Sequence, residues 1–272
     1  DGSCIYISSY TIQEIQSGAL SGQMLTSGIV TAVYPPTGGL SNNPSYVIQD
    51  GTGPNSAIWV IGDGVMVGDE VSVLGNVTEV YGLRQIQAAT PEVLSSGNTL
   101  PVAEILDPSA INDEQWECVL ISMTGDCVSA DAGYGEWHLD AGAGIGVIDD
   151  VGYNAIDDSL TNDGTTFVPV LEEGRSYRVV GPNFYAYGAW KLLPRDNADV
   201  VRLGCTTASF SNYDAYAQED DGTCIDLPGC TNPAADNYDA TATIDDGTCI
   251  ISGCNDTAAF NYQEGVTNPT ND

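Results

Sequence analysis

The clearest chemistry in this 272-residue chain belongs to its cysteines, because their neighbours repeat with them. Gly204-Cys205, Asn212-Tyr213 and Asp220-Asp221-Gly222-Thr223-Cys224 recur as Gly229-Cys230, Asn237-Tyr238 and Asp245-Asp246-Gly247-Thr248-Cys249. Cysteines spaced this regularly read as disulfides in an oxidising compartment rather than as cytosolic thiols. Zinc is the weaker reading, since closely spaced Cys pairs are absent and His138 is the single histidine. Joining Cys205 to Cys224 and Cys230 to Cys249 closes loops of about 20 residues, each worth roughly 3 kcal/mol in the chain-entropy account. Modules this short bury too little apolar surface to order themselves without such staples.

A third copy opens at Gly253-Cys254 and Asn261-Tyr262 and has no closing cysteine after it. The first residues, Asp1-Gly2-Ser3-Cys4, read as that missing ending. Placed head to tail they complete the motif, which predicts a Cys254–Cys4 link between successive units, either covalently continuous or separate protomers. The alternative is a Cys4–Cys254 bond within one chain. Cys118 and Cys127 remain. On one continuous strand they would lie about 30 Å apart at about 3.3 Å per residue, beyond disulfide reach. With no other cysteine left to pair with, the sequence favours a Cys118–Cys127 bridge, which requires Thr124-Gly125-Asp126 to form a turn or bulge.

Oxygen-bearing side chains crowd the same modules: Asn212, Asp214, Asp220 and Asp221 in the first, Asn237, Asp239, Asp245 and Asp246 in the second. Carboxylates and amides gathered around a glycine suit Ca²⁺, which takes six to eight oxygens. The same residues serve equally as Asx turns that cap local backbone groups. Gln263 replaces the aspartate in the third copy, which would weaken a calcium site there.

Six Lys plus Arg face 38 Asp plus Glu, a formal net charge of −32. That balance argues against a nucleic-acid partner, whose binding relies on clustered cations, and against anionic membrane surfaces. Divalent cations are the natural partners. No run reaches the roughly 18 apolar residues a membrane span needs, so no insertion is expected. Without an initiating Met or signal peptide, the sequence reads as mature or excised. Catalysis has little to stand on: His138 lies in Trp137-His138-Leu139, a strand-like context, and no enzyme activity is expected.

Stepping outward, the first two hundred residues carry a second repeat. Gly68-Asp69-Glu70-Val71 and Tyr81-Gly82 match Gly174-Arg175-Ser176-Tyr177 and Tyr187-Gly188 at the same offset. Gln49-Asp50-Gly51-Thr52-Gly53 matches Asp140-Ala141-Gly142-Ala143-Gly144, each a hairpin turn between apolar runs. Leu25 to Tyr34 and Cys118 to Val128 read as first strands. The marks fit two five-stranded units of about 100 residues, a common domain size. Predicted boundaries are 1–4 (closing half of a split Cys module), 5–98, 99–203, 204–226, 227–250 and 251–272 (opening half).

The doubled unit resembles OB-fold-like domains of secreted Bacteroidota proteins, often attached to extracellular nucleases. The residues that carry the likeness are Ile48 to Gly53, Gly68 to Val71, Tyr81-Gly82, Tyr187-Gly188, Asp113 to Glu117, Pro194, Arg195 and Asn197. The modules resemble Gly-Cys…Asn-Tyr…Asp-Asp-Gly-Ser/Thr-Cys repeats of large surface proteins from the same bacteria. The resemblance implies an all-β chain: two tandem five-stranded OB-like barrels followed by small disulfide-stapled repeat modules. OB barrels stack bases on aromatics in a basic groove. Here Arg178, Tyr185, Tyr187, Trp190 and Lys191 form the candidate ligand face, with strand packing and ion pairs as the plainer reading. Asp158-Ser159-Leu160 and Asp256-Thr257-Ala258 resemble a Bacteroidota O-glycosylation acceptor, at Ser159 and Thr257. The expected function is a structural repeat unit of an extracellular filament or long cell-surface adhesin. The alternative is an extracellular module that binds glycan or nucleic acid beside a secreted nuclease.

Overall fold

A computed structural model describes residues 8–36, 42–149 and 171–270. Cys4 and Ser159 lie outside them. The chain divides into two compact units, Asp1–Arg202 and Leu203–Asp272.

In the first unit, α1 (Ile12–Gln16) precedes β1 (Gly22–Tyr34), β2 (Ser45–Gln49), β3 (Ala57–Ile61), β4 (Glu70–Val80) and β5 (Leu83–Ser95). These strands close into a barrel in the order β1-β2-β3-β5-β4. Alternate residues Val71, Val73 and Val77 of β4 point inward with Val30, Ile48, Ile58 and Ile86. Thr11 caps α1 through a reciprocal pair with Glu14, and Ile12 and Ile15 join the same core.

The permutation recurs. β6 (Glu104–Leu106), β7 (Leu120–Gly133), β8 (Glu136–Asp140), β9 (Ile145–Asp149), β10 (Ser176–Ala186), β11 (Ala189–Leu192) and β12 (Val200–Arg202) form one sheet. A β10–β7 pairing closes its middle five as β7-β8-β9-β11-β10. A 3-10 turn, Pro108–Ile111, leads into this barrel and sends Ile111 into its core. Each first strand must serve two neighbours and bend between them. Gly28 in β1 and Gly125 in β7 allow it: a Cβ would meet the backbone oxygens of Gln49 at 2.9 Å and Asp140 at 2.8 Å.

The two barrels share a third core. The outward face of β2–β3, carrying Val47, Ala57 and Trp59, is buried against Cys118, Val119, Phe184 and Leu193. Trp59 stacks on Tyr34 at 5.3 Å and tilts against Phe184 at 4.8 Å. Polar contacts complete the joint: Leu120 N–H donates to Gln49 Oε1 at 3.1 Å, and Asn55 N–H to the Gln115 carbonyl at 2.7 Å. Glu117, 4% exposed, accepts from Arg84 N–H at 3.1 Å and Gln16 Nε2 at 3.3 Å.

The expected Cys118–Cys127 bridge is not made; both are buried free thiols. No turn intervenes at 124–126, because those residues pair continuously with Arg178, Tyr177 and Ser176 of β10. Cys118 stays in the core between the barrels while β7 carries Cys127 into the second barrel's own core. Burial pushes both thiols above their usual range, which leaves them unreactive.

In the second unit, Cys205 is joined to Cys224 and Cys230 to Cys249. Three backbone contacts repeat in register: Asp214 N–H to Cys205 O, Asp239 N–H to Cys230 O, and Gln263 N–H to Cys254 O, each 2.9 Å. The strand pair β13 (Pro228–Gly229) and β14 (Ile244–Asp245) recurs as β15 (Ser252–Gly253) and β16 (Asn268–Pro269). The third copy is thus folded like the second, with Cys254 a free thiol. Thr257 is exposed in a turn of that copy.

Two outcomes are expected. Burial raises the Glu117 carboxyl to about 7 from 4.5. Its contribution to stability is therefore full below pH 4.5 and lost as pH rises through 7, about 3 kcal/mol at 1.36 kcal/mol per pKa unit. Glu117→Gln keeps an acceptor for Arg84, so in thermal denaturation its advantage over wild type should grow between pH 5 and pH 8. Separately, the double variant Cys205→Ser/Cys224→Ser should lower the denaturant stability of the module by roughly 3 kcal/mol, leaving the barrel transition in place.

Candidate functional site

Strands β8 and β9 alternate: Trp137, Leu139 and Ile148 point into the second core. Glu136, His138 and Asp140 of β8, with Val147 and Asp149 of β9, therefore face outward. The register sets Glu136 opposite Asp149 and His138 opposite Val147. Strand β11 runs parallel beside β9 through Leu192 and Ile148 and adds Lys191 to the same outer face.

Lys191 is the floor of this face. Its Nζ donates to Glu136 and, at 2.8 Å, to Asp149, and the residue is only 3% exposed. Burial pulls the ammonium down, but the hydrogen bonds to both carboxylates outweigh it and the pKa is raised. Lys191 is permanently charged and already partnered.

Two hairpin tips bracket the face. Tyr134-Gly135 joins β7 to β8 and Tyr187-Gly188 joins β10 to β11. Tyr134 is 100% exposed and Tyr187 86%. Their φ values are +59° and +54°, followed by glycines at +80° and +86°, the left-handed pair of a type I′ turn. Asn, Asp or Gly ordinarily fills the first position; a bulky side chain there costs roughly 1–2 kcal/mol. The Tyr187 ring lies over Lys191 Nζ at 5.5 Å. Beside it, Tyr185 and Trp190 pair across β10–β11 with rings 4.9 Å apart. The first barrel's own tip, Tyr81-Gly82, abuts them: a Cβ on Gly82 would reach Tyr185 at 2.7 Å.

Tyr187 and Lys191 are therefore brought together, as are Tyr185 and Trp190, while Arg178 joins neither pair. Arg178 pairs with Thr124 of β7 and Val201 of β12, away from β8–β9. The basic groove is corrected as well. Arg195 is bound to Asp199 at 2.6 Å, Arg202 to Glu172 at 3.0 Å and Arg175 to Glu172 at 3.5 Å, so the cations clustered in sequence are spent on ion pairs. Sequence reasoning passed over Tyr134, Glu136 and Asp149. The signal was present as a third Tyr-Gly dipeptide matching 81–82 and 187–188.

The module carboxylates expected either to hold Ca²⁺ or to form Asx turns make hydrogen bonds to their own backbones. Asp214 accepts from Tyr216 N–H, Asp220 from Gly222 N–H and Asp221 from Thr223 N–H. Asp239, Asp245 and Asp246 accept from Thr241, Gly247 and Thr248 in the same way. The Gly222 N–H holds Asp220, and the hydroxyls of Thr241 and Thr248, aided by their N–H groups, hold Asp239 and Asp246, below the usual carboxylate range. Asn212 donates to Thr223 O at 2.8 Å and accepts from Ile225 N–H at 2.7 Å; Asn237 does likewise with Thr248 and Ile250. Among the described residues the grouped metal-ligating atoms are those of Cys205, Asp220 and Cys224, and the two sulfurs there are bonded to each other.

No family model matches the sequence, and no curated protein matches it. Among solved structures, one described as "Structural mimicry for functional antagonism" is 12% identical with a TM-score of 0.33, covering 69% of this chain and 96% of its own. The HIN domain of Ifi202 in complex with 20-base-pair dsDNA is 11% identical with a TM-score of 0.33, covering 64% and 93%. The tetrameric p202 HIN2 is 13% identical with a TM-score of 0.31, covering 64% and 87%. The expectation of no nucleic-acid partner is not kept; of these structures, the Ifi202 HIN domain is a complex with DNA.

Proposed function

We propose that this chain is an extracellular binding module, and that its second barrel takes a polymeric ligand, glycan or nucleic acid, along the β8–β9 face. In OB barrels the face of the second and third strands, with the loops after the first and fourth, binds oligonucleotides and oligosaccharides. Here those elements are β8–β9, Tyr134-Gly135 and Tyr187-Gly188. The equivalent face of the first barrel is covered by the second barrel. The observation that carries the reading is the pair of exposed tyrosines held in left-handed backbone at both loops. Strain of this kind gathers at ligand sites, where a fixed ring is presented at low entropic cost. Two disulfides support an oxidising, extracellular setting, and no helix among the described residues is long and apolar enough to cross a membrane. The role is recognition rather than catalysis.

The head-to-tail repeat unit of a filament or adhesin is a second reading. It draws on one observation: Cys254 occupies the register of Cys205 and Cys230, is partly exposed, and carries a free thiol. Non-reducing electrophoresis of concentrated protein should then give a ladder that Cys254→Ser removes.

For the binding role, the full chain is titrated against a mixed panel of double-stranded DNA, single-stranded DNA and soluble polysaccharides. Saturable binding to at least one member, weakened tenfold or more in Tyr134→Asn/Tyr187→Asn, is expected. Asn suits the left-handed turn position, so the variant should melt at or above the wild-type temperature. Absence of binding across the panel sinks the reading.

A further inference from the structure

We infer that the third Cys module is a docking site for the segment Gly2-Ser3-Cys4-Ile5 of a second copy of this chain. Asn261 and the Phe260 N–H grip that segment, and a Cys254–Cys4 disulfide locks it. The inference rests on the head-to-tail reading and names the groups that make its joint. Residues 2–7 lie outside the described residues and enter by sequence alone.

The first two modules show what such a site holds. Asn212 donates to Thr223 O and accepts from Ile225 N–H, while Ser211 N–H donates to Ile225 O at 3.0 Å. Asn237 does the same with Thr248 and Ile250, and Asp236 N–H donates to Ile250 O at 2.7 Å. Three hydrogen bonds thus hold a Thr-Cys-Ile segment, and the disulfide to Cys205 or Cys230 pins its middle residue. On the segment's side every one of these bonds is made by backbone, the mode by which extended peptides gain affinity.

The third module presents the same grips. Its Gln263 N–H bonds to Cys254 O and its β15–β16 pair repeats β13–β14. Asn261 follows Cys254 at the spacing by which Asn212 follows Cys205 and Asn237 follows Cys230. Among the described residues the Phe260 N–H and the Asn261 amide make no hydrogen bond, and Cys254 is a free thiol.

The sequence supplies the occupant. Gly2-Ser3-Cys4-Ile5 matches Gly222-Thr223-Cys224-Ile225 and Gly247-Thr248-Cys249-Ile250, with Ser for Thr as the one change. Each of the latter two closes its own module and leads directly into the next one. Residues 2–5 lead instead into the first barrel, so a second copy continues the same order, a heterologous contact that need not close into a ring. One exchange fits this partner. Asp236 accepts from Ser252 N–H at 3.2 Å, three residues beyond Cys249. Phe260 takes that place in the third module, fully exposed, and the third residue beyond Cys4 is Ile7. An apolar pair there removes both side chains from water.

The lock forms by thiol–disulfide exchange with a low-molecular-weight disulfide as oxidant. Cys254, its proton given to solvent, attacks the Cys4 sulfur of a mixed disulfide between Cys4 and the small thiol. The Cys254–Cys4 bond forms, the mixed bond breaks, and the small thiolate leaves with its electron pair.

The full chain carrying Cys4→Ser is incubated in glutathione redox buffer with a labelled peptide of residues 1–8, native or N-methylated at Ile5. Cys254 should capture the native peptide at least tenfold more than the methylated one, which cannot donate to Asn261. Asn261→Ala should abolish that difference, while the reaction of Cys254 with a small aromatic disulfide stays unchanged. The unsubstituted chain should form a ladder whose joints digest to Cys254–Cys4 peptides. Equal capture of both peptides, or a preference indifferent to Asn261→Ala, would overturn the docking site; a ladder that Cys254→Ser still removes would leave the head-to-tail reading standing. A monomer with Cys4 and Cys254 joined within one chain would overturn the second copy as occupant. Neither capture nor ladder would overturn both.

Discussion

Everything in the larger unit depends on one apolar seam. Strands β2 and β3 bury both faces, one in their own barrel and one under the neighbouring barrel, with Trp59 wedged between Tyr34 and Phe184. A free OB barrel of this size would leave that outer face wet. Covering it fuses the barrels into one body. It also sets Gly82, at the tip of β4–β5, against the ring of Tyr185.

Much of this was legible. The hairpin at Gln49 to Ala57, its counterpart at Asp140 to Ile145, and the Tyr-Gly turns all stood out as turn residues between β-rich runs. The fusion was encoded too, but less openly. Ser45-Tyr46-Val47-Ile48-Gln49 and Ala57-Ile58-Trp59-Val60-Ile61 are apolar almost throughout, whereas Glu136-Trp137-His138-Leu139-Asp140 alternates. Continuous runs mark strands with two covered faces and alternation marks strands with one. What hid was the third dimension: Arg178 lies close to Lys191 in sequence yet sits on another side of the barrel.

Local partners recur. Composition invited long-range partners for groups that found local ones. The module aspartates bond a backbone N–H two residues on, as Asx turns do. Cys118 and Cys127 were paired by elimination, yet a thiol behaves well as a small apolar side chain, and each filled a core instead. In an acidic chain with six Lys and Arg, the cations likewise went to internal struts such as Arg195–Asp199.

The Cys modules have a mechanical consequence. Cys205 and Cys224 are adjacent in space, their Cα atoms 4.8 Å apart, although 19 residues separate them along the chain; Cys230 and Cys249 are 4.9 Å apart. Tension applied along this segment enters at one cysteine and leaves at the other through the sulfurs. The intervening loop, with its Asn212 or Asn237 clamp, carries none of the load. Such a segment cannot pay out slack when pulled, so it transmits force at nearly constant length for as long as its surroundings stay oxidising.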